Sequence, residues 1–509
     1  MSMRNNIKFA SLISYLTLLV GNIISLIYTP FMLATLGSSE YGLFTLVNSI
    51  VAYIYLLDMG LGNAVVRYNS KLMVENDEIG LQKINGMFFI LYSIISLIAL
   101  IIGIIIYTNL QNIFAKGLAI DEIYKVKIMF IIALINLVFS FPLNVFGGII
   151  TANERFVFVK LINFIRTVLN PIIMVLILLL GYKSIGMLIT STIFNLLLGV
   201  VNIVYCFKVL KIKMIFRGFD KNLYKEIFQF SFYIFLSAIA YKIYWGTDQV
   251  VLGMFVSASS ISIYSIGIQF NNYFTSFSNV ISGMFLPQLT KLAVKEKDNN
   301  IMMDILIKVS RIQAIISLFI LSGFILIGKY FIEVWVGSNY NISYYIALIV
   351  MIPQIISIIQ SLFATMLEAM NKHKVKAFIY LFVSIINLII TLILVDILGA
   401  IGCAIGTAIG MIINAVINNI YYVNILKLNM KRYWSEMTKF ILPVLISLIL
   451  GFILVAIINP NTYLGICIFI IMYTVIYLGV NWVIVFNNYE KSLFTSIINS
   501  IKKYNYQIK

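Results

Sequence analysis

An apolar stretch of the sequence, FYIFLSAIAYKIYWGTDQVVLG at residues 232–253, contains two charged residues, Lys242 and Asp248. A charge at the centre of a membrane-spanning helix costs about 2.5–3.5 kcal/mol, so such residues are rare and usually paired or functional. A lysine ammonium is a compact point charge that can bind a phosphate group. An aspartate can bind a cation or exchange a proton. The stretch therefore has the residue types of a binding site inside a membrane.

Aromatic and polar side chains recur through this stretch at the spacing of a helix. Intervals of three and four residues place on one stripe Tyr233, Ser237, Tyr241, Tyr244 and Asp248. Trp245 borders the stripe, and Lys242 lies about 100–140° round the helix from it. Together these residues form a broad polar and aromatic surface, so the pattern predicts one wall of a central cavity. The alternative is that Asp248 lies in the external headgroup region and that the Lys242 side chain extends towards it.

The composition of the chain is that of an integral membrane protein. Of its 509 residues, 61% are hydrophobic and only 11% are charged, and the mean hydropathy is +1.02. A soluble domain of this length needs far more polar surface. Cys206, Cys403 and Cys467 lie in apolar segments without metal or disulfide spacing, so we expect buried thiols, no metal site and no cofactor. The only histidine, His373, lies in a basic loop and is not placed for proton transfer within a membrane.

Apolar runs of about 20 residues, the length that crosses a bilayer, recur along the whole chain. They predict an all-α integral membrane protein of about fourteen transmembrane helices, near 7–33, 41–66, 84–108, 126–151, 157–181, 185–209, 227–250, 261–285, 304–328, 343–367, 376–396, 399–426, 437–458 and 463–486. An even number of crossings places both termini on the same side of the membrane.

The distribution of lysine and arginine indicates which side that is. Basic residues cluster before the first predicted helix, after the second, and in the segments 208–225, 291–297, 372–376 and 427–432. Because cytoplasmic loops carry the excess of Lys and Arg, both termini are expected in the cytoplasm. The formal charge of +17 is then mainly a topology signal, with some attraction to anionic membrane lipids, and it does not indicate nucleic-acid binding.

The end of the first half of the chain recurs in the second half. Residues 184–213 align without a gap to residues 400–429, and the identities include Asn202 with Asn418. A repeat of six helices has the same orientation in both copies, so it predicts two pseudo-symmetric lobes around a central cavity, related by an axis along the membrane normal. The predicted domains are an N-lobe (1–209), a basic cytoplasmic linker (210–226), a C-lobe (227–432), two C-terminal helices (433–490) and a basic cytoplasmic tail (491–509).

The first two predicted helices carry more specific motifs. The segment YTPFMLATLGSSEYGLFTLVNSIVAYIYLLDMGLGNAVVRY, residues 28–68, contains an LG-x-x-x-YG turn, an LD-x-G-x-G stretch and a closing arginine, at Leu36, Gly37, Tyr41, Gly42, Leu57, Asp58, Gly60, Gly62 and Arg67. The segment resembles the opening of the polysaccharide biosynthesis flippases of the multidrug/oligosaccharidyl-lipid/polysaccharide exporter superfamily. Thr247-Asp248 followed by Gly253 resembles the seventh helix of that family, and ANERF at 152–156 resembles its turn between helices 4 and 5.

The resemblance implies a transporter, not an enzyme. Such flippases move undecaprenyl-diphosphate-linked oligosaccharides from the cytoplasmic to the outer leaflet of the cell membrane by alternating access, for O-antigen, capsule or other surface polysaccharides. The implied partners are this lipid-linked oligosaccharide, a coupling ion (H+ or Na+), membrane lipids and other polysaccharide assembly proteins. Two alternatives within the superfamily are a cation-coupled multidrug antiporter and a flippase of another polyprenyl-linked precursor such as lipid II. A membrane enzyme would need a large loop or a clustered catalytic site, which the sequence lacks.

Asp58 and Arg67 are the candidate binding residues within these motifs. Asp58 lies in the inner half of the second predicted helix, and we expect it to face the central cavity as a partner of Lys242 or as a cation-coupling carboxylate. Arg67 is placed to meet the diphosphate of an arriving carrier, although the end of a helix at the cytoplasmic side explains it equally well. Arg166 and Glu368 are weaker candidates.

Overall fold

A computed structural model of the chain describes residues 3–219, 221–295, 299–370, 373–493 and 495. Within these ranges the chain is helical and contains no strand. The α-helices are α1 (Met3–Leu36), α2 (Ser38–Ile54), α3 (Leu61–Val74), α4 (Glu78–Phe114), α5 (Ile120–Ala152), α6 (Phe156–Leu179), α7 (Lys183–Val204), α8 (Lys221–Phe255), α9 (Ala258–Lys295), α10 (Asn299–Val336), α11 (Asn341–Ile359), α12 (Ser361–Ala369), α13 (His373–Asn424), α14 (Met430–Thr438), α15 (Ile441–Ile458) and α16 (Tyr463–Ile484).

Twelve helices among the described residues are long and apolar enough to cross a membrane. One of them, Val375–Asn424, has 50 residues, which is more than twice the length that a bilayer needs. Gly399 interrupts it with a non-helical backbone (φ 55°, ψ −130°), so α13 accounts for two of the predicted spans. α9 coincides with the predicted span at 261–285. The prediction of an all-α membrane protein is confirmed, with twelve to fourteen spans.

The chain divides into two compact units. The first consists of Met1–Ser265 with Tyr380–Cys403, and the second consists of Ile266–Ile379 with Ala404–Lys509. The first unit contains α1 to α8 and, with them, Lys242, the residues around it and the motifs of the second predicted helix. The predicted lobes and linker, whose limits come from the internal repeat, stay a prediction.

The LD-x-G-x-G motif divides the second predicted helix into two. After α2 the chain forms a 3-10 turn, Tyr55–Asp58, and α3 begins after Met59 (φ 50°) and Gly60 (φ 70°), which both have a left-handed backbone. Glycine adopts this conformation without steric cost. A Cβ on Gly60 would also lie 2.4 Å from Cγ2 of Ile234 on α8. The glycine therefore allows the sharp break and the close approach of α8 at the same position.

Replacement of Gly60 by alanine is expected to lower the stability of the first unit by about 1–3 kcal/mol, because the new methyl group meets Ile234 on a left-handed backbone. Gly62→Ala is the matched control, since the nearest atom to its added Cβ is the Tyr92 hydroxyl at 3.7 Å. Thermal unfolding of the two variants in detergent measures the difference. Equal melting temperatures would contradict this account of the motif.

Candidate functional site

Lys242 lies half-buried on α8, beside an aromatic side chain of α2. Its Nζ is 5.3 Å from the centre of the Tyr53 ring, a cation–π arrangement. The Tyr53 hydroxyl donates to the backbone carbonyl of Lys242 over 3.2 Å and also forms a hydrogen bond with the Thr247 hydroxyl. The alkyl stem of Lys242 crosses Gly246, where a Cβ would lie 2.6 Å from its Cε. Tyr53 of α2 thus contacts the lysine, and the lack of a side chain at Gly246 leaves room for its alkyl stem.

The ammonium of Lys242 forms no ion pair with a carboxylate of the described residues. The expected pairing with Asp58 is therefore not formed in this conformation. An unpaired cation within a membrane-spanning helix is costly unless an anion or water reaches it. The position is consistent with a binding function.

The predicted stripe on α8 separates into an exposed and a buried part. Tyr241 is 60% exposed, whereas Tyr244 is 2% exposed and stacks on Tyr380, with the ring centres 5.2 Å apart. Trp245 is half-buried and packs edge-to-face on Tyr244 at 5.3 Å. The packing of α8 on residues 380–403 buries one side of the stripe. Of the predicted aromatic residues, Tyr241 and Trp245 thus keep exposed surface; the side chain of Tyr233 lies outside the described part of the chain.

Asp248 is buried among the polar groups of neighbouring helices, with 3% of its surface exposed. One carboxylate oxygen accepts a hydrogen bond from the Tyr264 hydroxyl of α9, and the other accepts one from the Thr391 hydroxyl of α13 at 3.4 Å. The Asn387 side chain lies one turn away, with its carbonyl 3.3 Å from the same threonine hydroxyl. This enclosure buries Asp248 between helices of the first unit, and its predicted depth in the membrane stays a prediction.

Asp58 closes the 3-10 turn before α3 and is hydrogen-bonded within the first unit. The Tyr92 hydroxyl of α4 donates to its Oδ1 over 2.8 Å. The backbone N–H of Gly60 and the side chain of Asn144 also lie near the carboxylate. These contacts stabilise the break between α2 and α3, a structural role that the sequence did not indicate.

Arg67 is exposed in α3, with its guanidinium carbon 5.7 Å from the centre of the Tyr68 ring. Its two predicted roles, in diphosphate binding and at the cytoplasmic end of a helix, stay predictions. The side chains of Glu368 and His373 lie outside the described part of the chain. Arg166, in contrast, lines a large cavity.

Sequence reasoning missed this cavity, which lies inside the first unit and has a volume of about 620 Å³. Its walls come from α2, α5, α6 and α7. Its polar lining consists of Asn48, Tyr55, Asn136, Ser140, Asn144, Asn163, Arg166, Asn170, Ser191, Asn195 and Asn202. We refer to it as the asparagine pocket.

The sequence does contain a signal for the asparagine pocket. Three membrane helices each carry polar residues at intervals of three, four or seven, at 136, 140 and 144, at 163, 166 and 170, and at 191, 195 and 202. Such intervals place the polar residues of each helix on one face. Polar side chains in membrane helices usually face the protein interior or a water-filled cavity. Only a comparison of all three helices reveals the pattern, because each alone is a weak signal.

The helices define a polytopic membrane protein, and its first unit contains a polar cavity. Residues 32–345, more than half of the chain, match the family model of the polysaccharide biosynthesis proteins. The chain belongs to the polysaccharide biosynthesis protein family. Comparison with curated proteins gave no match.

Solved structures show the same fold. A lipid II flippase MurJ in an inward closed conformation superposes with a TM-score of 0.71 at 18% identity, covering 93% of this chain and 97% of the other. An inward-facing multidrug resistance MATE transporter of the MOP superfamily superposes with a TM-score of 0.65 at 14% identity, covering 79% of this chain and 93% of the other. A Vibrio cholerae MATE transporter superposes with a TM-score of 0.56 at 14% identity, covering 84% of this chain and 98% of the other. The resemblance to the polysaccharide biosynthesis family drawn from the motifs is confirmed, and the chain shares its fold with these flippase and transporter structures.

Proposed function

We propose that the protein is a flippase that moves an undecaprenyl-diphosphate-linked oligosaccharide from the cytoplasmic to the outer leaflet of the cell membrane. Its family and its transporter fold support a role in polysaccharide biosynthesis. The single observation that favours an anionic cargo is Lys242, a cation on a membrane-spanning helix without a carboxylate partner among the described residues. Both termini are proposed to lie in the cytoplasm.

The main alternative, an exporter of cationic drugs, fits the charges less well. Lys242 would repel a cationic cargo. Asp58, the carboxylate first considered for such a pump, is already held by Tyr92 and stabilises a helix break. A flippase of lipid II differs from the proposed function only in its glycan, and accumulation of lipid II on gene deletion would distinguish it.

Alternating access requires one side of the protein to close while the other opens. In the described conformation the predicted outer ends of several helices of the first unit are packed tightly. A Cβ on Gly42 would lie 1.8 Å from the carbonyl oxygen of Ala258, and a Cβ on Gly117 would lie 2.3 Å from that of Gly253. Nearby, Lys116 Nζ lies 2.8 Å from Asp396 Oδ1. These contacts are those that an outward-open state would have to break.

The proposed cycle also needs an energy source, and Asp248 is the carboxylate of the first unit best placed to couple to H+ or Na+. Its oxygens lie with those of Tyr264, Thr391 and Asn387 in a water-poor cluster between helices. Hydroxyl, amide and carboxylate oxygens are suitable ligands for a hard cation, and a buried carboxylate is equally suited to hold a proton.

Asp248→Asn is therefore expected to reduce ion-driven transport at least tenfold, since an amide cannot take up the proton and offers a cation no negative charge. Transport in vesicles with an imposed pH or Na+ gradient measures this effect. Asp304→Asn is the control, because Asp304 is exposed and lies in the second unit. Unchanged gradient dependence in Asp248→Asn would rule out this residue as the coupling site.

The proposed function is tested by deletion of the gene in its host and complementation with Lys242 variants. Without the protein, undecaprenyl-linked glycan should accumulate on the cytoplasmic leaflet and surface glycan should disappear. Lys242→Arg should restore surface glycan, whereas Lys242→Ala should lower it about tenfold or more, because a charge-assisted contact is worth roughly 1.5–3 kcal/mol.

Lys329→Ala removes an exposed lysine from α10 and should behave as wild type. Unchanged surface glycan in the deletion strain, together with new sensitivity to cationic drugs, would instead support the antiporter. Accumulation of lipid II would identify the other flippase. The surface glycan that disappears in the deletion strain also decides between O-antigen, capsule and other surface glycans.

A further inference from the structure

We propose that the asparagine pocket binds the glycan of the cargo and that Arg166 binds an anionic group on that cargo, either a sugar carboxylate or phosphate or the carrier diphosphate. The inference rests on the proposed function and deepens it, because it assigns the site that recognises the head group. It also predicts that the protein prefers acidic glycans if the sugar supplies the anion.

The lining of the pocket suits the hydroxyl groups of a sugar. Each asparagine amide offers two donors and an acceptor oxygen, so it can pair with hydroxyls in either direction. Among the described residues, the side chains of Asn163, Asn195 and Asn202 have no hydrogen-bond partner. The Oδ1 of Asn170 is buried and also lacks a partner within the described part of the chain. The pocket therefore contains amide groups that can form hydrogen bonds with a polar ligand.

These amides do not hold helices together, which is the usual structural role of asparagine in a membrane protein. Asn419 of the second unit illustrates that role, since it exchanges hydrogen bonds with Gln360 and accepts one from Trp434. Asn144 is the exception among the described amides of the pocket, since it donates to the Tyr55 hydroxyl over 3.3 Å and lies near the Asp58 carboxylate. A volume of about 620 Å³ lies within the range of small-molecule sites, about 300–1,000 Å³.

Arg166 supplies the only charge among the residues that line the pocket. It lies on α6 between Asn163 and Asn170, and it forms no ion pair with the described carboxylates. The Tyr55 hydroxyl is near it. An arginine stays charged at all relevant pH values, and its planar guanidinium matches a carboxylate or phosphate with two parallel hydrogen bonds. A membrane helix tolerates such a group where an anion can reach it.

A second cavity supports a lipid-linked rather than a free glycan. An apolar cleft of about 550 Å³ is lined by Phe89, Phe146 and Phe207, and it shares Leu143 with the asparagine pocket. Leu143 packs against Gly199 of α7, where a Cβ would lie 2.4 Å from its Cδ1. A polar and an apolar cavity that share one wall residue match a cargo with a sugar head group and a hydrocarbon chain.

The test is a binding measurement on the purified full-length protein with three probes: a hyaluronan tetrasaccharide, which carries uronate groups, neutral maltotetraose, and undecaprenyl diphosphate without a glycan. We expect Asn195→Leu to weaken the binding of both tetrasaccharides at least tenfold. We expect Arg166→Gln to weaken the binding of one anionic probe at least tenfold and to leave maltotetraose unchanged. Arg166→Lys, which keeps the charge but loses the planar fork, should give an intermediate value.

The two sources of the anion give different results. Loss confined to the hyaluronan probe assigns Arg166 to an acidic sugar, and loss confined to undecaprenyl diphosphate assigns it to the carrier. Asn109→Leu, which removes an exposed amide of α4 outside the pocket, is the matched control. Unchanged affinity for all three probes in both variants, with wild-type melting temperatures, would overturn the inference. Normal binding without movement of cargo across a membrane would instead refute the proposed function alone.

Discussion

Replacement of Arg311 by alanine is expected to destabilise the second unit by about 3–5 kcal/mol, the cost of breaking a buried ion pair. Arg311 is buried on α10 and its Nε donates to Glu490 Oε1 over 2.6 Å. Its other nitrogens donate to Glu436 Oε2 and to the backbone carbonyl of Val485, each over 2.9 Å. Alanine would leave Glu490, of which 2% is exposed, without its cation.

The matched control is Arg432→Ala, which removes another arginine–carboxylate pair of the second unit. Arg432 lies 2.6 Å from Asp304, but the two side chains are 50% and 57% exposed. Exposed pairs contribute only about 0–1 kcal/mol because water screens them. Thermal unfolding of both variants should therefore show a large decrease in melting temperature for Arg311→Ala and a small one for Arg432→Ala. Similar values for the two variants would show that Arg311 does not secure the chain after α16.

Replacement of Gly42 by alanine is expected to open the outer ends of the first unit. The added methyl group would meet the backbone of Ala258 at 1.8 Å, and a backbone cannot rotate away as a side chain can. Overpacking of this kind costs about 1–3 kcal/mol, so the closed conformation should become about 5- to 150-fold less favourable relative to the open one. Transport should fall in proportion, because a cycle needs both conformations.

A single cysteine at Ser262, in a background without the native cysteines, measures the opening. Ser262 is fully buried in the described conformation, and its replacement by cysteine changes the volume little. A membrane-impermeant maleimide should label this cysteine at least fivefold faster in Gly42→Ala. Gly479→Ala is the control, since no atom lies within 4 Å of its added Cβ. Equal labelling rates in Gly42→Ala and the control would contradict a role of this contact in closure.

The helices could be predicted from the sequence because each span must bury its backbone hydrogen bonds and present about 20 apolar residues to lipid. The break at Gly399 fits this logic, since it lies at the junction of the predicted spans 376–396 and 399–426. The stripe on α8 was only partly informative. Helical spacing places Tyr241 and Asp248 on one face, but it does not tell which part of that face another helix will cover.

The contacts that a side chain makes across the fold were much less predictable. Arg311 and Glu490 are 179 residues apart, and no local pattern connects them. Asp58 was recognised as costly within a membrane, yet its partner Tyr92 lies on α4 and not on α8. The asparagine pocket depends on four helices at once, α2, α5, α6 and α7. Such features depend on which helices become neighbours, and hydropathy carries little information on that choice.

The central claim is tested most directly by reconstitution of the purified protein into vesicles with undecaprenyl-diphosphate-linked oligosaccharide from the host. Periodate added outside oxidises only the glycan of the outer leaflet, so the oxidised fraction reports movement of cargo between the leaflets. The account predicts that this fraction increases with the amount of protein and falls with Lys242→Ala. An oxidised fraction equal to that of protein-free vesicles, while the same vesicles exchange a cationic dye, would contradict it.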